Sequence, residues 1–150
     1  MSTIITDIVS GIKSELIAVV GPTYRELPYV VDIEKNSSNN NDNGYGVRAL
    51  VGNQVSGTVK SVTITQSFEV VLTKSFRESS ISDDNLRVAE NTLKDLMNDV
   101  YASLVNNKAG TPANVMNVND LQLQQTEVVS ESKFVAQRAT MDITYRYSLI

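Results

Sequence analysis

The residues whose types and spacing could support chemistry are few. Asn39, Asn41, Asn43 and Gly44 match positions one, three, five and six of a calcium-binding loop. The match fails where charge matters: position one is Asn rather than Asp, and Leu50 stands where the bidentate Glu belongs. Ser10 and Lys13 have the S-x-x-K spacing of an acyl-enzyme nucleophile and its base, but no partner motif follows them. Asp95 and Asp99, or Asp32 and Glu34, are each half of an acid/base or metal pair. Neither pair has a third acid or a glycine-rich phosphate loop near it, so these carboxylates read as solvated surface. Asn36-Ser37-Ser38 is a glycosylation sequon with no secretory signal ahead of it.

The composition points the same way. The chain has no His and no Cys. The commonest general base and metal ligand is therefore missing, and so is the thiolate nucleophile. A catalytic, cofactor or metal centre is not expected. The net charge is −4 with acids and bases interspersed, so the basic footprint of a nucleic-acid binder is lacking. Asp7, Lys13 and Glu15 interrupt the apolar N-terminal stretch, which excludes a membrane span there.

The 150 residues suit one domain, 1–150, large enough to hold its own core. Thr3 to Val20 reads as an amphipathic helix, with Ile5, Ile8, Ile12, Leu16 and Val19 on one stripe. Ser2 or Thr3 would cap it, and Gly21-Pro22 would stop it. Tyr24–Leu27 and Tyr29–Glu34 read as extended pieces around Pro28. The polar run 36–44 reads as a mobile surface loop, 45–51 as a short strand and 52–57 as a turn. Val59 to Phe76 alternates with period two. Val62, Ile64, Phe68, Val70 and Leu72 mark a dry face, and Thr63, Thr65, Ser67, Glu69 and Thr73 a wet one. Ser82-Asp83-Asp84 starts a second helix whose stripe runs from Leu86 to Leu104. Val115–Leu123 alternates weakly. From Phe134 the chain alternates to its end, long enough for a strand that projects beyond the body. The order predicts an α+β fold: an antiparallel or mixed sheet with both helices on one face.

Among the tyrosines, Tyr145 and Tyr147 fall on the apolar face of the last strand. Tyr24, Tyr29 and Tyr45 lie near loops and are candidate contact anchors, as Tyr is enriched at interfaces.

The order of elements resembles that of the tail terminator proteins of tailed phages. The resemblance runs through the amphipathic first helix, the segment Tyr24 to Glu34, the turn-rich run 36–46 and the strand ending Leu72-Thr73-Lys74. It continues in the capped helix 83–105 and the terminal strand ending Asp142-Ile143-Thr144-Tyr145-Arg146-Tyr147. It covers most of the chain, apart from the asparagine loop. It implies a virion subunit, assembled in the host cytoplasm, that forms a homo-hexameric ring on the head-proximal end of the tail tube. The ring would end tube growth and contact the tail tube protein and the head-side connector. DNA would pass through its lumen without specific binding, and no membrane would be involved. Tyr24, Tyr29, Asn39, Asn41, Asn43, Tyr45 and Arg146 are then the candidate interface residues. The alternatives are a head–tail joining or head-closure protein of the neck, and, in a different class, a small-ligand binding or regulatory α+β module.

Overall fold

The computed structural model describes residues 3–36, 43–78, 80–109, 115–130 and 133–149, without the Glu34 side chain. Among these residues two α-helices and six strands appear in the order α1 (Ile4–Val20), β1 (Tyr24–Glu26), β2 (Asn43–Gly57), β3 (Ser61–Ser75), α2 (Asp83–Asn106), β4 (Val115–Leu123), β5 (Glu127–Val129) and β6 (Phe134–Ser148). The strands form one sheet in the order β1-β2-β3-β6-β4, with β5 also on β6. β1 pairs parallel to β2 and every other pairing is antiparallel, so the sheet is mixed and the fold is α+β.

The spine of the sheet is the β3–β6 pair. Its register runs without a break from Ser61↔Ser148 to Ser75↔Phe134. That continuity follows from the strict alternation of both strands, because a one-residue slip would turn every apolar side chain to the wrong face.

The dry face of this pair carries the main core. Phe68, Val70 and Leu72 of β3 and Ala139, Met141, Ile143 and Tyr145 of β6 meet Ile8, Ile12 and Leu16 of α1 and Leu93, Met97, Val100 and Leu104 of α2. Both helices thus lie on one face. Each fully buried Leu or Ile stabilises the fold by about 1.5–3 kcal/mol relative to exposure.

The helix ends differ in how they are closed. Ser82 takes extended backbone geometry, and its hydroxyl accepts from the Asn85 amide at 3.3 Å. At the far end Lys108 is left-handed (φ 48°), and the Ala109 amide donates to the Leu104 carbonyl at 2.9 Å. This is a Schellman closure with Ala109 buried as its apolar contact. α1 departs from expectation. Thr3 occupies the N-cap, but its backbone is not extended and its hydroxyl donates to Asp7 instead, at 3.1 Å.

Three further readings are corrected. Residues 45–57 are not a strand and a turn, because β2 runs unbroken in name from Asn43 to Gly57 and the turn is 58–60. Gly52 lies opposite Gln66 in the ladder, and any side chain there would collide with the Gln66 amide. That amide donates to the Leu50 carbonyl at 2.6 Å. The glycine admits a cross-strand side chain and does not turn the chain.

The segment 29–34 is not a strand either. It folds back over the second face of the sheet and ends in a 3₁₀ turn, Ile33–Lys35. Val30 and Leu27 pack against Ile33, Val71, Val129, Phe134 and Ala136. A side chain at Gly44 would meet Leu27, and one at Gly46 would meet Val30 at 2.6 Å, so both glycines allow this close approach.

Consequently the wet face is wet only in part. Val71 and Thr73 are buried beneath the returning segment. Glu69 is buried as well, with its Oε1 accepting from Arg48 Nε at 2.8 Å and Arg138 Nη1 at 3.0 Å. Arg138 also donates to the Val30 and Val31 carbonyls, which ties the returning segment to the sheet.

Candidate functional site

Among the described residues, none of the motifs weighed in the sequence assembles a reaction centre. Lys13, of the S-x-x-K pair, makes an ion pair with Glu26 at 2.6 Å while Ser10 faces solvent. Asp95 and Asp99 are exposed, and Asp32 faces Lys35 at 3.8 Å. Among the described residues no group of three or more Asp or Glu could hold a metal ion. Among the described residues no helix is long and apolar enough to cross a membrane. In the calcium-loop pattern, Asn39 and Asn41 lie outside the described residues, and Asn43 and Gly44 open β2.

The sequon residue Asn36 is buried, correcting the reading of it as loop surface. Its Nδ2 donates to the Tyr29 and Ile33 carbonyls and its Oδ1 accepts from the Tyr29 amide. The nitrogen that a glycan would need is spent on holding the 29–36 turn.

The candidate interface residues separate. Tyr24 and Tyr45 sit at the beginnings of the paired strands β1 and β2, with their rings in the main core. Burial pushes the Tyr24 hydroxyl above the ordinary phenol range. Tyr29 is half exposed, with the Lys35 ammonium 5.9 Å from its ring. Asn43 Oδ1 accepts from the Ser75 amide at 3.1 Å, which ties this residue into the sheet. Arg146 is exposed beside Lys108, Val115 and Met116.

The feature that sequence reading missed is the far end of the sheet. β2 is exposed from Val51 to Gly57. Val51 is 69% exposed, Val55 65% and Val59, in the turn, 90%. Between Arg48 and Glu69 the only charged residue is Lys60. Long strands protected from unwanted pairing usually carry charge or proline. Here protection comes from irregularity: the register slips between Ala49 and Gly52 and again between Gln54 and Ser56. The turn is held by Thr58, whose hydroxyl accepts from the Lys60 and Ser61 amides. The signal available in the sequence was the lack of charge over 49–59, but the glycines drew the reading toward a turn.

At the root of this hairpin α1 begins. Ile4 and Ile5 of its first turn, with Ile64, Tyr145 and Tyr147 of the sheet, line a groove of about 290 Å³ that has no charged residue in its walls. Burial pushes the Tyr145 hydroxyl up, and the neighbouring Tyr147 adds to that. The opposite face of the same sheet end is a field of hydroxyls. Thr65 and Thr144 lie 3.0 Å apart, and Ser67 donates to Asp142 at 2.7 Å.

A second concavity, about 540 Å³, lies between the end of β3 and the start of α2. Phe76, Ile81 and Val88 line it together with Lys74, Arg77 and Glu78. Glu78 accepts from Asn85 at 3.1 Å.

No family model and no curated protein matches this sequence. Among solved structures, the chain is similar to one from the "Virion of native gene transfer agent (GTA) particle". The identity is 12%, the TM-score is 0.46, and the match covers 98% of this chain and 99% of that one.

Proposed function

We propose that this protein is a structural virion subunit that forms a ring on the head-proximal end of a phage tail, ending tube growth and joining the tube to the head connector. The reading starts from the sequence resemblance described above. The order of elements behind that resemblance implies an α+β subunit, and the chain has that fold. The composition adds to it, because a chain without His or Cys is poorly equipped for catalysis.

The observation that carries the reading is the exposed sheet end. A 15-residue strand that leaves Val51 and Val55 in water beyond its helices gains nothing for an isolated domain. It makes sense as contact surface. Self-assembly into a ring requires heterologous contacts, in which two different patches of one chain meet. The mild negative charge suits a conduit for DNA, since clustered Lys and Arg would grip the phosphates.

The test is to add purified protein to polymerising tail tubes. The expected result is tubes of arrested length with a ring at one end in negative-stain images. Binding to portal rings in preference to tube ends would favour a head-closure role. Failure to bind either would defeat the proposal.

A further inference from the structure

We infer that the β2–β3 hairpin tip of one copy seats its valines in the apolar groove of a neighbouring copy, the groove lined by Ile4, Ile5, Ile64, Tyr145 and Tyr147. This rests on the ring reading above and specifies how copies touch.

Three observations point to it. First, the hairpin and the groove match in charge. The residues of the tip from Ala49 to Val59 carry no charge, Lys60 being the one charged residue of the turn, and the groove walls carry none. Burying a charge against either would be costly, whereas aliphatic side chains enter both freely. Second, the two features stay unfilled within one copy. Val55 and Val59 are exposed and line no part of the groove. Third, strand-to-strand pairing is a poor alternative. The free edge of β2 is broken by its two register slips. The free edge of β4 slips between Val115 and Asn117 and between Asn119 and Gln122, where Asp120 is left-handed (φ 58°). Bulged edges do not present a regular ladder, and the other edge strands, β1 and β5, are only three residues long, which favours contact through side chains. A volume of about 290 Å³ admits one or two small aliphatic side chains, which is what the tip offers.

A knob on one patch and a socket on another generate a head-to-tail series that closes into a ring or runs on as a filament. The polarity is testable because the chain contains no cysteine. Val59→Cys places a thiol at the tip, and Thr6→Cys places one at the exposed rim of the groove. Both sites are exposed, so neither substitution disturbs the core. The two single variants are mixed in equal amounts, oxidised gently at high concentration and resolved without reductant.

Random collision gives mixed and like disulfide dimers in a ratio of roughly 2:1:1 by simple mixing statistics. The inference expects the mixed dimer in at least several-fold excess over that ratio. It also expects a ladder of covalent multiples from the double variant. Adding Val55→Asp to the Val59→Cys chain should return the ratio to the random value.

A random ratio, or a dominant Val59–Val59 link, overturns the contact. The mass of the unmodified protein at rising concentration separates the two levels. If it assembles but shows no mixed excess, the contact is wrong and the ring stands. If it neither assembles nor gives a mixed excess, both fall.

Discussion

The two ends of the sheet are built from the same three long strands and have opposite fates. At the near end, β2 from Gly44 to Val47, β3 from Phe68 to Thr73 and β6 from Phe134 to Met141 are covered on both faces. The helices lie on one side, and the returning segment 27–36 lies on the other, where it packs with Val129 of β5. At the far end β2 is bare from Val51 onward, while β3 and β6 still meet the first turn of α1 on one side. Strand length therefore does not measure stability. The near end supplies burial, and the far end spends backbone order on a surface that a lone copy does not need.

Substitutions can sharpen or break this contrast. The largest effect belongs in the near end. Phe68→Ala, at a fully buried site between sheet and helices, is expected to lower the unfolding free energy by about 3–5 kcal/mol, read by urea titration. A loss below about 1 kcal/mol would mean that the core does not lie there. Next is the second face. Glu69→Ala strips Arg138, only 11% exposed, of its buried acceptor and should cost about 2 kcal/mol. The same variant should raise proteolysis of the 27–36 segment that Arg138 holds. Ser82→Ala should cost about 1 kcal/mol through the lost cap of α2.

A pH effect spans both ends. Burial raises the hydroxyl pKa of Tyr24 and of Tyr145. A phenol with a higher pKa folded than unfolded contributes its full stability below the ordinary value of about 10, and that contribution is lost as pH rises through the folded value. The urea midpoint should hold steady up to about pH 10 and fall above it, as absorbance at 295 nm reports ionisation. A midpoint unchanged at higher pH would contradict the burial of both rings. The smallest effect belongs to the far end. Val55→Thr should leave stability within about 0.5 kcal/mol of the parent. A loss above 1 kcal/mol would show that the tip packs within its own copy.

The helices, the two-sided alternation of β3 and β6, and the one-faced helix layer were legible because period and burial coincide there. Ile8, Ile12 and Leu16 fall on one stripe, as do Ala89, Leu93, Met97, Val100 and Leu104. Glycine misled the reading of β2. Gly44, Gly46 and Gly52 each mark a close approach by a side chain from elsewhere, and a sequence does not say whether a glycine turns the chain or makes room. Gln137 was also missed. It is fully buried on the helix face, accepts from Lys94 and Thr126, and donates to the Gln124 carbonyl. Its partners are distant in sequence, so no local pattern announces it. Of the candidate interface, Tyr29 and Arg146 remain exposed, while Tyr24 and Tyr45 are core residues. The valines of the hairpin went unread because an apolar residue in a strand signals burial by default.

Native mass spectrometry across a concentration series tests the central claim most directly. The account predicts that the 16.5 kDa chain gives way to one closed multiple, with no growth beyond it. A single-chain mass at every concentration, or an open-ended series of multiples, would contradict it.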